Sequence, residues 1–275
     1  MSKVRVGIVG CGSIGSFVAG KIQQEFKSTV SVESIFDINS EKAQLLRDKI
    51  PDAKVVFRLK DVFVNTDLVI EAAAPGIVEE VLLESKVART NLVIMSVGGL
   101  LGKTDLMDVL RKKGVKIYIP SGAIGGMDIF RSLGSSWIDT LTLTTFKPPV
   151  ALSGVDYIVE KGIDLYSITD EKVIFEGSVR DAVKNFPKNI NVAATLAINS
   201  GVEDKIKVKI VVSPALKRNI HHIVAEGDFG KVEITCENNP SKENPRTSQL
   251  ALLSCWGKVC EAVEDISSYS KESRG

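Results

Sequence analysis

Val4-Arg5-Val6-Gly7-Ile8-Val9-Gly10-Cys11-Gly12-Ser13-Ile14-Gly15 decides the fold. An apolar run, Val4–Val9, ends directly in a Gly-x-Gly-x-x-Gly turn. Beyond it Ile14, Phe17, Val18, Ile22 and Phe26 recur at offsets of 3, 4, 8 and 12 from the first. Those offsets place five apolar side chains on one helical face, with Gln23, Gln24, Glu25 and Lys27 toward water. A strand running through three glycines into an amphipathic helix is the first turn of a dinucleotide-binding βαβ unit. Gly10 permits the tight turn, Gly12 brings backbone close to a pyrophosphate, and Gly15 lets the helix approach the strand. The amino end at Ser13 and Ile14 offers N–H groups to the negative charge.

Asp37 stands at the end of the second predicted strand, 22 residues after Gly15. A carboxylate there accepts hydrogen bonds from the adenosine ribose hydroxyls and repels a ribose 2′-phosphate. NAD is therefore the expected cofactor, and NADP is left open as a second. Further strands are predicted at Val30–Phe36, Ala53–Phe57, Asp67–Ala72, Leu92–Ser96 and Val115–Ile119. Helices are expected after a cap at Asn39 or Ser40, over Ile77–Ala88, and after Lys103 with Thr104 as cap. Six strands alternating with helices over residues 1–120 predict a Rossmann-type, doubly wound parallel sheet. Glu71-Ala72-Ala73-Ala74-Pro75 ends the fourth strand in small residues, which suit either close approach of a cofactor to Ala73 or tight packing. Both readings stand.

The remaining length asks for a second domain, because 275 residues exceed one usual core. After Pro120 the pattern changes to a short helix at Met127–Leu133 and strands at Thr140–Phe146, Lys205–Val212, His221–Glu226 and Lys231–Cys236. Helices are predicted at Ser178–Asn185 and Asn191–Ser200. The expectation is an α+β domain over residues 121–245 with a mixed or antiparallel sheet, and a final helix, 246–275, that packs back on the first domain.

Composition narrows the class of partner. Lys and Arg number 35 against 34 Asp and Glu, which removes the electrostatic footprint of a nucleic-acid or membrane-surface protein. A small-molecule substrate is expected. A strand pattern begins at Val4 with no preceding apolar targeting region, so a cytoplasmic location is expected. The four cysteines lack C-x-x-C spacing and the chain has two histidines, so reduced thiols are expected and neither a disulfide framework nor a metal site.

The two histidines, His221 and His222, are neighbours on a predicted strand, so at most one faces a catalytic cleft. The motifs Ser121-Gly122-Ala123-Ile124-Gly125-Gly126-Met127-Asp128, Phe186-Pro187-Lys188-Asn189-Ile190-Asn191-Val192-Ala193-Ala194, Arg218-Asn219-Ile220-His221, Glu226-Gly227-Asp228-Phe229-Gly230 and Asn244-Pro245-Arg246-Thr247-Ser248 resemble the L-aspartate dehydrogenase family across the whole chain. The resemblance implies NAD(P)-dependent oxidation of L-aspartate to iminoaspartate, which yields oxaloacetate and ammonia or feeds quinolinate formation in NAD biosynthesis. It also implies a two-domain fold and a homodimer formed through the second domain. By motif, His221 matches the family's catalytic histidine, and Ala123, Asn189 and Asn191 match its cofactor-contacting positions. The alternative role of the asparagines is helix capping.

An imidazole titrating near neutrality suits the proton transfer such an oxidation needs. The two substrate carboxylates need donors, for which Arg131, Lys147, Arg246, Thr247 and Ser248 are candidates. Homoserine dehydrogenase and dihydrodipicolinate reductase share the two-domain plan and are the runner-up activities. A non-catalytic NAD-binding redox sensor is the alternative from another class, since fold alone does not fix function.

Overall fold

The computed structural model describes residues 3–186, 191–241 and 247–272, with the side chains of the last four left aside. The chain divides into two compact units, Met1–Pro120 with Leu252–Gly275, and Ser121–Ala251.

The first unit carries β1 (Val4–Val9), α1 (Ser13–Glu25), β2 (Val30–Phe36), α2 (Ser40–Lys49), β3 (Lys54–Val55) and β4 (Leu68–Glu71), followed by α3 (Val78–Ala88), β5 (Asn91–Ile94), α4 (Thr104–Lys112) and β6 (Ile117–Tyr118). All six strands pair in parallel in the order β3-β2-β1-β4-β5-β6, the doubly wound arrangement predicted from the alternating pattern. β1 lies centrally and buries every residue except Arg5, as a parallel strand covered on both faces must. In α1, Val18 and Ile22 are fully buried, while Ile14, Phe17 and Phe26 pack around the same core. Topology thus places the carboxyl ends of β1, β2 and β4 next to one another, where the glycine turn, Asp37 and Glu71 stand.

Four predicted strands are shorter than their apolar runs suggested: β3 keeps two residues, β4 keeps Leu68–Glu71, β5 ends at Ile94, and β6 keeps two. A parallel strand lasts only as long as its neighbour supplies backbone partners, and β3 and β6 are the edges. Asn39 caps α2 by accepting from the Lys42 N–H at 3.1 Å. Thr104, expected to cap α4, is instead its first helical residue, and Lys103 at the cap position gives no side-chain capping bond, its ammonium pairing with Glu79 instead.

The last helix, α9 (Gln249–Glu272), contributes Cys255, Val259, Ala262 and Val263 to the core of the first unit. Trp256 packs on Phe26 and donates to Glu25, and Asp265 accepts from both Lys116 and Tyr118. Ser248 Oγ caps the helix by accepting from the Ala251 N–H at 3.0 Å.

The second unit contains α5 (Met127–Trp137), β7 (Thr140–Lys147), α6 (Asp156–Glu160), β8 (Lys172–Ser178), α7 (Val179–Asn185), α8 (Asn191–Ser200), β9 (Ile206–Val212), β10 (Asn219–Gly227) and β11 (Gly230–Asn238). Its sheet runs β11-β10-β7-β9-β8, with β7 and β9 parallel and the other pairs antiparallel, hence mixed. α5 extends past the predicted Leu133 to Trp137 through a break at Gly134, whose φ of 59° is open to glycine. β8 was not expected from the sequence. Asp228 and Phe229 form the tip of the β10–β11 hairpin, closed by the Gly227–Gly230 pair.

Register gives this sheet one apolar face. Leu141 and Leu143 on β7, Ile206, Val208 and Ile210 on β9, and Ile223 and Ala225 on β10 share it, all buried. The same face continues, toward the end of β7, into Thr145, Lys147 and His221. The sheet therefore carries an apolar core at one end and a buried polar layer at the other.

Candidate functional site

The cradle at the end of β1 is shaped by backbone. Gly10 has φ +96°, and a Cβ there would lie 2.6 Å from the backbone of Ala72 and Ala73. At Gly15 a Cβ would come 2.0 Å from the Gly10 carbonyl oxygen. Neither position tolerates a side chain, because the obstacle is backbone. Gly12 differs: a Cβ there would meet nothing within 4 Å. It is the N-cap of α1, gives no side-chain cap, and its carbonyl accepts the first helical bond from Ser16. Helix N–H groups beside open space form an anion cradle. Ser13 Oγ is buried there without a hydrogen-bond partner among the described residues. Open space, uncapped helix and orphaned hydroxyl all fit a dinucleotide pyrophosphate.

Asp37 does more than the sequence suggested. Its Oδ2 accepts from the Cys11 N–H at 2.7 Å and its Oδ1 from the Asn39 N–H at 2.8 Å. The carboxylate thus fixes the glycine turn to the end of β2, and each oxygen keeps a further lone pair for a ribose hydroxyl. Burial, reinforced by the charge of Asp37, pushes the Cys11 thiol up to about 12, which makes it inert as a nucleophile. Ala73 is exposed at the edge of β4.

Glu71 is a residue that sequence reading missed. It is fully buried at the end of β4; Oε1 accepts from the Ala73 N–H and Ser96 Oγ at 2.8 Å each, and Oε2 from the Ser96 N–H at 2.9 Å. Burial pushes its carboxyl above the usual range, and the donors on Ser96 and Ala73 pull the other way. It ties together the loops that leave β4 and β5 at the carboxyl edge of the sheet. The sequence carries no distinct signal for this role, since an acid closing the apolar run Leu68-Val69-Ile70 also reads as a solvated strand end.

In the second unit His221 and His222 point to opposite faces. His222 Nε2 lies 2.7 Å from Glu233 on the solvated face. His221 is 4% exposed, and its Nδ1 lies 3.0 Å from Thr145 Oγ1, the residue directly across the β7–β10 pair. Burial, and secondarily the charge of Lys147, hold the His221 pKa down to about 3. This corrects the expectation of an imidazole titrating near neutrality: buried on the inner face, His221 is neutral across the physiological range. Lys147, the last residue of β7, is likewise buried, and burial lowers its pKa to about 8.

Ala123 is buried, and its carbonyl accepts from Asn238 Nδ2 at 3.0 Å. Asn238 Oδ1 is buried with no partner among the described residues. Asn191 is the first residue of α8. Asn189 and Arg246 lie outside the described residues. Arg131 is exposed and donates to Asn199 Oδ1 at 2.6 Å, which ties α5 to α8. The structure thus brings Gly10, Gly12, Ser13, Ile14, Gly15 and Asp37 together in the first unit, and Thr145, Lys147 and His221 together in the second. Among the described residues there is no group of three His, Cys, Asp or Glu side chains suited to a metal.

Comparison with known proteins places this geometry. Residues 128–261 match the model of the C-terminal part of aspartate dehydrogenase, and residues 10–120 that of the NAD-binding domain of homoserine dehydrogenase. An L-aspartate dehydrogenase of Methanococcoides burtonii is 39% identical over 268 residues, covering 96% of this chain and 98% of the relative. This chain belongs to the L-aspartate dehydrogenase family. The family member of Methanocaldococcus jannaschii is 37% identical over 267 residues, with 96% and 98% covered. The aspartate dehydrogenase structure of Thermotoga maritima superposes with a TM-score of 0.71 at 26% identity, covering 97% of each chain. A homoserine dehydrogenase of Thiobacillus denitrificans shares the fold, with a TM-score of 0.60 at 12% identity, covering 98% of this chain and 75% of that one. The first unit of this family member is therefore an NAD-binding domain of α/β type.

Proposed function

We propose that this protein oxidises L-aspartate to iminoaspartate with NAD, and that His221 is its catalytic residue. The observation that carries the reading is His221, buried and neutral at the polar end of the second sheet, in a chain that also builds a glycine cradle with Asp37 behind it. Gly10, Gly12, Ser13, Ile14, Gly15 and Asp37 would hold the adenosine diphosphate portion. Ala73, Ala123, Asn189 and Asn191 are the proposed contacts nearer the nicotinamide. When bound, NAD supplies the hydride acceptor.

The chain's own part is to manage protons. Hydride leaves C2 of aspartate only from the neutral amine, so a proton must be taken from the substrate nitrogen. For His221 Nε2 to accept it, Nδ1 must carry the ring proton and donate to Thr145 Oγ1. Thr145 Oγ1 can accept that proton, so the pair accommodates this tautomer, and burial keeps the ring unprotonated until substrate arrives. The same nitrogen can then orient water for hydrolysis of iminoaspartate to oxaloacetate and ammonia.

Asp37, held by two backbone N–H groups, supports a preference for NAD, because a fixed carboxylate repels a 2′-phosphate. We also infer a homodimer through the second unit. Its sheet has a second face bearing Thr142, Thr144, Phe146, Ile220 and Val224, each half-buried in the single chain. Four free cysteines agree with a reducing, cytoplasmic setting. Mixing the protein with L-aspartate and NAD at alkaline pH should produce reduced cofactor, and His221→Ala should abolish turnover while NADH still binds. Full activity in that variant, or no reduction by the parent protein, refutes the reading.

A further inference from the structure

The buried polar layer of the second sheet contains a group that the oxidation described above does not use. Lys147 ends β7, where Pro148 and Pro149 stop the strand. Strand alternation puts it on the face of Thr145, which stands opposite His221. On the neighbouring strand its partner is Val212, and the Ser213 N–H donates to the Lys147 carbonyl at 3.0 Å, so its backbone is anchored to β9. The side chain is 5% exposed. Lysine is rarely buried so deeply, because taking an ammonium out of water costs several kcal/mol. A fold that holds one beside its reacting histidine gains when an anion arrives.

A second group in the same layer points to a ligand. Asn238 pairs with Asn219, two residues from His221 on β10, and so shares the face of His221. It is 3% exposed, and its Oδ1 finds no partner among the described residues. A buried amide oxygen left open in this way calls for a donor, and a ligand group arriving in this layer can supply one.

We propose that Lys147 seats a carboxylate of the dicarboxylic substrate beside His221 and so contributes the charge recognition that selects a diacid. The inference rests on the reading of the protein as an L-aspartate dehydrogenase. The ammonium has three N–H donors, and can hold a protein acceptor and a carboxylate at once. Arg131, the other described cationic candidate, is exposed and engaged with Asn199, and therefore does not compete for the role.

The test uses Lys147→Met, which keeps the apolar stem and volume, and Lys147→Arg, which keeps the charge. Three quantities are read: KM for L-aspartate, the Kd of succinate on NADH-saturated protein by calorimetry, and the Kd of NADH. Loss of a charge-assisted contact predicts that Lys147→Met raises the first two roughly 30- to 100-fold, with NADH affinity within about twofold of the parent. Lys147→Arg should recover at least part of the succinate affinity. Succinate Kd and aspartate KM within about threefold of the parent in Lys147→Met overturn the proposal, as does a matching loss of NADH affinity in both variants, which would mark a structural role. Succinate binding is read without turnover. A parent protein that binds succinate through Lys147 but fails to oxidise aspartate therefore refutes the activity while supporting the carboxylate site.

Discussion

Gly12→Ala separates cofactor binding from folding. The added Cβ meets no atom within 4 Å, and Gly12 has φ −72° and ψ −165°, extended backbone that alanine also adopts. Removing glycine lowers the entropy of the unfolded chain and stabilises by about 0.4–1 kcal/mol, whereas alanine is a poorer N-cap than glycine by a similar amount. The two offset, so stability should stay within about 1 kcal/mol and Tm within roughly 4 °C. The methyl occupies the space from which a pyrophosphate must approach the end of α1. Weakening two charge-assisted N–H bonds there, each worth about 1.5–3 kcal/mol, predicts an NADH Kd raised about 100-fold or more. Gly15→Ala is the contrasting case. Its Cβ would lie 2.0 Å from the Gly10 carbonyl oxygen, so helix and turn must separate and both Tm and affinity should fall. Calorimetric unfolding with NADH titration of both variants decides the matter. A folded Gly12→Ala protein binding NADH within threefold of the parent refutes the cradle.

Asp37→Ser should narrow the ratio of kcat/KM for NAD over NADP, because it removes the charge facing a 2′-phosphate; an unchanged ratio would sink the assignment. Glu71→Ala leaves the Ala73 N–H, Ser96 N–H and Ser96 hydroxyl without their buried acceptor, at a cost of roughly 3 kcal/mol or more, visible as a Tm drop of several degrees. A parent-like Tm would show that water replaces the carboxylate. His221, with its pKa lowered to about 3, takes no proton when folded, whereas unfolded histidine protonates below about pH 6.5. Its contribution to stability is therefore complete above pH 6.5 and is lost toward pH 3, at about 1.4 kcal/mol per pH unit. Lys147, lowered to about 8, adds a second window between about pH 8 and 10.5 in which stability again rises with pH. Urea unfolding of the parent and His221→Asn at pH 7, 6 and 5 should show a shallower slope in the variant; equal slopes contradict the buried neutral ring.

The dinucleotide cradle was legible because its chemistry is local. Gly10, Gly12 and Gly15 lie within one turn, and Asp37 follows a single crossover helix, so spacing alone assigns their places. Glu71 was not legible: an acid closing an apolar strand reads as a solvated end, and only the loop carrying Ser96, 25 residues on, turns it into a buried acceptor. β8 escaped for a different reason. Its register shifts between Val173 and Phe175, which puts Ile174 and Phe175 side by side in the core and breaks the period of two on which strand reading depends. The state of His221 was hidden for a third reason. Its neighbours Thr145 and Lys147 lie more than 70 residues earlier in the chain and meet it through sheet register alone. Local turn chemistry can be read from a sequence; the environment of a titrating group is a property of strand pairing.

That environment bears on how the base works. A histidine held to about pKa 3 is a weak proton acceptor, burial being the larger cause and the positive charge of Lys147 the second. Neither cause is relieved in the protein alone. A dicarboxylate arriving beside Lys147 neutralises that charge and adds a second negative one in a region of low dielectric, where each acts strongly. His221 should then become a better base at the moment when there is an amine to deprotonate, and remain neutral otherwise. With two histidines in the chain, their ring nitrogens can be followed individually by NMR. In NADH-saturated protein the His221 resonances should keep the neutral pattern down to about pH 5, and succinate should move the onset of protonation to higher pH. An onset that succinate does not move would show that the carboxylate is bound away from this layer, and that His221 gains its basicity from another source.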